Sequence, residues 1–259
     1  MTSAIRVLAV AGNTLREAVR NRVLYTLVAF AVVLIGASIV LSNLSYVEQG
    51  RILQDIAFAS ARLFGVAIAI AMGINLIHRE VDRRTIYTIL AKPISRSEFL
   101  LGKYLGLVAT IWLQVLIMGA AFAAVSLVDD QPFGWPHAGA LGLLGMELAV
   151  VVAVATLFSS FTTPTLASLF TTGIWIAGNL TRDLQRLAEQ TRVEEIVGAA
   201  RILHRVLPDL AMFNLGLKAS HGLPIAPVAE VGLPVAYAAA YVAALLVLAS
   251  LIFQRRDFR

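Results

Sequence analysis

The sequence predicts an all-α membrane protein with six transmembrane helices. Hydrophobic residues make up 59% of the 259 residues and charged residues only 14%, against about 25% in ordinary soluble domains. The mean hydropathy is +0.81, and the apolar residues fall into runs about long enough to cross a bilayer as helices. We therefore expect one transmembrane domain over residues 1–259 and no separate soluble domain.

The first predicted element is an amphipathic helix within residues 1–22. Ile5 and Leu8 recur at helical spacing, whereas Arg6 and Arg16 fall on other faces. This pattern is typical of a helix that lies in the membrane interface. A frayed basic tail is the alternative for this stretch.

Six spans are predicted from the apolar runs. They cover about residues 23–41, 56–77, 103–128, 138–158, 164–180 and 231–253. We place Arg62 near the outer end of the second span, where its long side chain can reach the lipid headgroups. Glu147 lies near the middle of the fourth span, where a carboxylate costs about 2.5–3.5 kcal/mol to insert, so it should face protein or water. It is either a pathway or dimer-interface residue or a structural Glu that is protonated or hydrogen-bonded.

The distribution of positive charge predicts the orientation in the membrane. Four Lys and Arg precede the first span, six lie within residues 78–103 and three follow the last span, which makes 13 of the 21 in the chain. An excess of Lys and Arg beside spans marks the cytoplasmic side. We therefore predict a multi-pass protein of the cytoplasmic (inner) membrane of a prokaryote, with both termini cytoplasmic. The net charge of +5 then fits contact with anionic membrane lipids, and no nucleic-acid partner is expected.

Residues 78–103 form the most densely charged segment between two apolar runs. Val81, Ile86 and Leu90 fall roughly on one side of a short helix, which Pro93 should end. The following Ser95-Arg96-Ser97-Glu98 fits a capping box, in which each end residue bonds the backbone N–H of the other. The pattern predicts a short helix at the membrane face, a sharp stop, and a second helix that enters the third span.

The longest non-spanning stretch is residues 181–228, which the topology places outside the cell. Its charges nearly balance, and Leu184, Leu187 and Val206 indicate one or two amphipathic helices, broken near Pro208.

Four features together resemble the permease subunits of type-2 ABC transporters, a family of six-span exporter membrane proteins. They are the basic segment before the first span, the charged loop, the Ser/Thr/Pro turn at 159–164 and the ending Phe253-x-Arg255-Arg256-Asp257-Phe258. The loop reads Arg79-Glu80-x-Asp82-Arg83-Arg84-Thr85-Ile86-Tyr87, then Lys92-Pro93-Ile94-Ser95-Arg96 and Leu101-Gly102-Lys103-Tyr104. The resemblance covers the whole chain, and the loop is its most specific part.

The resemblance implies a particular architecture. Residues 1–22 would be an elbow helix, and the short helix within 78–103 would be a coupling helix seated in a cytoplasmic ABC ATPase subunit, of which two copies bind. Two permease subunits, identical or related, would form the pathway between them. Segment 181–228 would hold short outer helices that cap the pathway or meet an extracytoplasmic protein. The residues expected to contact the ATPase are Glu80, Asp82, Arg83, Arg84, Thr85 and Tyr87.

We predict no catalytic, cofactor or metal site in this chain. A phosphate loop needs Gly-x-x-x-x-Gly-Lys-Ser/Thr, but Gly102-Lys103 is followed by Tyr104. ATP and Mg would therefore be bound by the partner ATPase. His78 and its acidic neighbours lack the His-Glu-x-x-His pattern of a helical zinc site.

The sequence thus predicts a permease subunit of an ABC transporter that exports a substrate across the cytoplasmic membrane with ATP hydrolysed elsewhere. The alternative is a non-transporting membrane scaffold that transmits ATPase motion to an extracytoplasmic partner. An intramembrane enzyme is disfavoured because Glu147 is the only acidic residue well inside a predicted span. The sequence does not specify the substrate.

Overall fold

The computed structural model describes residues 3–42, 49–82, 95–128, 133–191, 197–198 and 206–255. Within these ranges the regular structure is helical and no strand occurs, which confirms the predicted all-α class. The α-helices are α1 Ser3–Val19, α2 Arg22–Ser42, α3 Gln49–Asp82, α4 Arg96–Val128, α5 Trp135–Ser159, α6 Pro164–Thr191, α7 Gly216–Ser220 and α8 Leu233–Arg255. A 3₁₀ turn, Leu210–Phe213, precedes α7, and a π-helical turn, Pro227–Gly232, leads into α8.

Four of the described helical segments are long and apolar enough to cross a membrane. They are Gly50–Ile74, Arg96–Leu127, Trp135–Ser159 and Pro227–Phe253. A fifth arises if α1 and α2, which are bent by 62°, form one broken span. The chain is therefore a multi-pass membrane protein, and the number of six spans stays a prediction.

α6 differs from the predicted fifth span in length and polarity. The helix does not stop near residue 180 but continues to Thr191 through Arg182, Asp183 and Arg186. Its apolar part, residues 164–180, is about 25 Å long at 1.5 Å per residue, less than the roughly 30 Å of a bilayer core. The first part of segment 181–228 is thus a direct continuation of α6.

The packing of α3 against α5 forms the centre of the bundle. α3 presents a buried small residue at every fourth position, and these are Ala57, Ala61, Gly65, Ala69 and Gly73. A Cβ atom on Gly73 would lie only 2.6 Å from the Cβ of Ala155 on α5. Small residues at this spacing let two helix backbones approach closely. α5 is accordingly the most enclosed candidate span, with 78% of its apolar window buried.

α1 packs along the first turns of α4 through two glycines one helical turn apart. A Cβ on Gly102 would lie 2.6 Å from the Cβ of Val10, and one on Gly106 would lie 2.5 Å from the carbonyl oxygen of Ala11. An ion pair of 3.4 Å between Lys103 Nζ and the Glu17 carboxylate joins the same helices. α4 therefore supports α1 along its length.

The start of α4 is closed by the predicted capping box. The Ser95 N–H donates to Glu98 Oε2 at 2.9 Å, and the Glu98 N–H donates to Ser95 Oγ at 3.2 Å. The Arg96 guanidinium donates to the carbonyl oxygen of Phe253, near the C-terminal end of α8, at 3.2 Å. A cation is favourable there because the last carbonyls of a helix carry partial negative charge. Two sequence motifs far apart in the chain thus meet at one end of the bundle.

Candidate functional site

A buried ion pair joins α3 and α5 in the middle of the bundle. Arg62 Nη2 lies 2.8 Å from Glu147 Oε1, and Arg62 Nε lies 3.0 Å from Glu147 Oε2. The two N–H groups hold the carboxylate in the fork geometry that makes such pairs strong. The Glu147 side chain is 1% exposed and the Arg62 side chain 21%. Glu147 stands at the midpoint of α5, a candidate membrane span, and the middle of a span is where a single charge is most costly.

α6 completes the environment of this ion pair. Trp175 Nε1 donates to Glu147 Oε1 at 3.0 Å, and Arg62 Nη2 donates to the Asn179 side-chain oxygen. The Asn179 amide in turn donates to the carbonyl oxygen of Trp175 at 2.9 Å. We call Arg62, Glu147, Trp175 and Asn179 the Arg62–Glu147 cluster. Because its charges are paired and hydrogen-bonded, the desolvation cost of burying them is offset, and the cluster links three helices.

Arg62 therefore occupies a different environment from the one expected. The prediction that its side chain reaches the lipid headgroups is wrong, because the guanidinium binds Glu147 instead. α3 begins at Gln49, well before the predicted start of the second span, so Arg62 lies several turns inside the helix. Glu147 itself is enclosed by protein, and its part in a pathway or dimer interface stays a prediction.

A cavity of about 360 Å³ lies beside the cluster, among α3, α5 and α6. Arg62, Glu147 and Trp175 contribute to its wall, and the rings of Phe58 and Phe213 also line it. This volume is within the range of roughly 300–1,000 Å³ that is usual for small-molecule sites. Mostly apolar walls with a few fixed polar groups are likewise typical of such sites.

The outer rim of the cavity combines one carboxylate with exposed apolar side chains. Asp55 lies two helical turns before Arg62 on α3, and Asn214, from the segment before α7, also lines the cavity. Leu63 and Leu217 are 59% and 62% exposed. The cavity is therefore accessible from the surface of the subunit across an apolar edge.

The 3₁₀ turn and α7 cover one side of the cavity and form what we call the roof, residues 208–220. A Cβ on Gly178 of α6 would lie 2.6 Å from the carbonyl oxygen of Pro208. A Cβ on Gly216 would lie 3.1 Å from the Phe58 ring on α3. The roof can sit this close because glycine stands at both contacts.

Polar bonds fix the roof to three helices. Arg182 Nε donates to Asp209 Oδ2 at 2.7 Å, and the Asp209 N–H donates to Tyr237 Oη on α8 at 3.1 Å. The Ser220 hydroxyl donates to Asp55 Oδ1 on α3 at 2.5 Å. The described part of segment 181–228 is thus anchored on the bundle and contributes residues to the cavity.

The residues predicted to contact an ATPase fall at and beyond the end of α3. Helix α3 ends at Asp82, so Glu80 and Asp82 belong to its last turn. The side chains of these two residues, and all of Arg83, Arg84, Thr85 and Tyr87, lie outside the described residues.

Sequence reasoning missed the partners of Glu147. Arg62 is its counter-ion, and Trp175 and Asn179, four residues apart on α6, complete the cluster. The sequence did contain a signal that indicates this pair, because one cation and one anion inside different spans are expected to pair with each other.

Comparison with known proteins fits this architecture. The sequence matches the family model described as ABC-2 family transporter protein over residues 8–258, which covers nearly the whole chain. No curated protein matches it. The resemblance noted in the charged loop and the C-terminal motif is thereby confirmed at the level of the family. The chain belongs to the ABC-2 family of transporter proteins and is a membrane-spanning permease subunit of an ABC transporter.

Proposed function

We propose that this permease exports a substrate across the cytoplasmic membrane, driven by ATP that two separate ATPase subunits hydrolyse. A second permease, identical or related, completes the transporter. The Arg62–Glu147 cluster beside the cavity carries the proposal, because paired charges within membrane helices mark substrate pathways. ATP and Mg belong to the ATPase, and both termini of the permease face the cytoplasm.

α3 provides the mechanical connection that this function requires. It runs as one helix from Gln49 to Asp82, about 50 Å at 1.5 Å per residue. Arg62 and Asp55 line the cavity on this helix, and Glu80 and Asp82 stand at its other end. A tilt or shift imposed on the end of α3 therefore moves one wall of the cavity.

The ion pair gives α3 and α5 two discrete arrangements relative to each other, one with the pair formed and one with it separated. When α3 and α5 are in register, Arg62 and Glu147 bond each other directly. A shift of one helix separates them, and the cavity then has to supply other partners or water to both charges. Packed interfaces switch between such states rather than deform continuously. We propose that ATPase closure drives this separation during export.

The ATPase contact is proposed at Glu80, Asp82, Arg83, Arg84, Thr85 and Tyr87. The test is affinity purification from detergent-solubilised native membranes, followed by mass spectrometry of the proteins that accompany the permease. We expect an ATPase with a phosphate loop to co-purify with the wild type. It should be lost when the triplet Asp82, Arg83 and Arg84 is changed to Ala.

A matched control exists on α6. Changing Arg182, Asp183 and Arg186 to Ala removes the same types of charge from the opposite predicted side of the membrane and should leave the ATPase bound. If no ATPase accompanies the wild type in several detergents, the proposed energy source is wrong. If both triple variants retain it, the proposed contact is wrong.

The scaffold alternative is favoured by one observation, the bond between Ser220 of the roof and Asp55 of α3. Through this bond, a movement of α3 also displaces the roof, which an extracytoplasmic partner at 181–228 then senses. Replacing residues 210–217 by a Gly/Ser linker separates the two functions. If the chain exports a substrate, the wild type should show ATP-driven flux in proteoliposomes and the linker variant should lose it. If the chain is a scaffold, neither should show flux, and the linker variant should lose only the cellular function.

A further inference from the structure

We propose that the cavity beside the Arg62–Glu147 cluster binds a hydrophobic organic monocation, such as a quaternary ammonium or phosphonium ion. The proposal deepens the proposed export function, and it rests on that function only for the statement that the ligand is cargo. It follows from the charge, the aromatic lining and the rim of the cavity.

The cavity has a net negative charge. Its ionisable lining consists of two carboxylates, Asp55 and Glu147, and one guanidinium, Arg62. Arg62 and Glu147 are 2.8 Å apart and neutralise each other, which leaves the charge of Asp55. A charge next to apolar walls acts more strongly than one in water, because the local dielectric constant is lower.

Asp55 has capacity for a cationic partner. Its Oδ1 accepts a hydrogen bond from the Ser220 hydroxyl at 2.5 Å, and serine brings no positive charge. Among the described residues, no group donates to Oδ2 and no Lys, Arg or His pairs with this carboxylate. The bond to Ser220 fixes the orientation of Asp55 at the cavity, so the carboxylate is held in place for an incoming cation.

Aromatic rings supply the second part of a cation site. Phe58, Trp175 and Phe213 all line the cavity, and Phe58 is one turn from Asp55 on the same helix. The face of an aromatic ring attracts a cation, most strongly for Trp, and such rings are the usual receptors of quaternary ammonium groups. The bond from the Trp175 indole N–H to Glu147 fixes this ring.

An anionic ligand of the same shape fits poorly. It would meet the unpaired charge of Asp55 and would have to compete with Glu147 for Arg62, which the carboxylate holds through two N–H groups. The exposed rim residues Leu63 and Leu217 favour a ligand that is itself apolar. A lipophilic cation satisfies both conditions.

The test uses the purified full-length chain in nanodiscs of phosphatidylcholine, with empty nanodiscs as the blank. The probe is tritiated tetraphenylphosphonium. Tetraphenylborate, which has nearly the same shape and the opposite charge, is tested for binding in separate samples, because the two ions precipitate each other. We expect saturable binding of one cation per chain and no saturable binding of tetraphenylborate. The variant Asp55→Asn should bind about tenfold more weakly, as expected for loss of one interaction with a charged group.

Two further variants make the result specific. Asp183→Asn removes an exposed carboxylate of α6 outside the cavity and should bind as the wild type does. Leu217→Lys adds a positive charge at the exposed rim, where folding is not at risk, and should also weaken binding by about tenfold. Wild-type affinity in Asp55→Asn and Leu217→Lys, or saturable binding of tetraphenylborate, would overturn the proposal.

The outcome is distinguishable from a failure of the export function. If an ATPase co-purifies but no saturable cation binding occurs, the cation site is wrong and export stands. If the cation binds in the predicted way but no ATPase is found, the site stands and the energy source is wrong.

Discussion

Removing one partner of the Arg62–Glu147 pair should destabilise the protein by about 3 kcal/mol. Breaking a buried pair typically costs about 3–5 kcal/mol, because the remaining charge is left uncompensated. We expect the lower end of this range, since the Arg62 side chain is 21% exposed and regains part of its hydration. In Glu147→Gln, the amide oxygen still accepts a hydrogen bond from Trp175. The loss of stability therefore reports mainly the unpaired charge of Arg62.

The double variant separates pairing from packing. Arg62→Gln with Glu147→Gln leaves no charge on this wall, and two amides can hydrogen-bond each other. Replacing both members of a buried pair is often nearly neutral, so we expect the double variant to lose about 1 kcal/mol or less. With each single variant losing about 3 kcal/mol, the coupling energy of the cycle should then be about 5 kcal/mol in magnitude.

The free energy of unfolding is measured by titration with sodium dodecyl sulfate in mixed micelles, followed by circular dichroism. The Arg182–Asp209 pair is the control, because its side chains are 43% and 16% exposed. A cycle with Arg182→Gln and Asp209→Asn should give a coupling of about 1 kcal/mol or less. If the Arg62–Glu147 cycle gives no more than this control, both charges are solvated and the buried cluster does not exist in solution.

Two further predictions concern α4. Gly106→Ala should lower the free energy of unfolding by about 1–3 kcal/mol, since the new methyl group would lie 2.5 Å from the Ala11 carbonyl oxygen. The control is Gly142→Ala on α5, where no atom lies within 4 Å of the new Cβ, and it should raise the free energy of unfolding by about 0.5–1 kcal/mol. If the two variants change the free energy of unfolding equally, the close contact between α1 and α4 is contradicted. Ser95→Ala should cost about 1 kcal/mol by removing one half of the capping box, as read from the same titration. Ser168→Ala, on the exposed side of α6, is the control. If Ser95→Ala lowers the free energy of unfolding no more than this control does, the cap is not formed.

Features encoded within a few residues were predictable from the sequence. The capping box depends only on Ser95 and Glu98, three residues apart, and it forms as predicted. The helical class follows from apolar runs that satisfy their own backbone hydrogen bonds in a membrane. The family likewise followed from short motifs.

Features that depend on distant residues were not predictable in the same way. Arg62 and Glu147 are 85 residues apart, and nothing local tells whether a cation in a span binds the headgroups or a carboxylate on another helix. The length of α6 was missed because charged residues beyond the apolar core continue a helix without penalty once they are outside the membrane. The roof was predicted as helical, but its contact with the cavity depends on Gly178 and Gly216, which have no distinctive sequence context.

The contact between α1 and α4 also has a consequence for biosynthesis. Val10 and Thr14 meet Gly102 and Gly106, which the ribosome adds about 90 residues later, or roughly 5–20 s at usual rates of synthesis. For that interval α1 exists without the helix that supports it. Its amphipathic sequence suits the membrane surface, so a nascent chain halted before Gly106 should leave α1 there, accessible to protease. α1 would then lie on the membrane surface only during assembly, and this step is complete when α1 packs on α4.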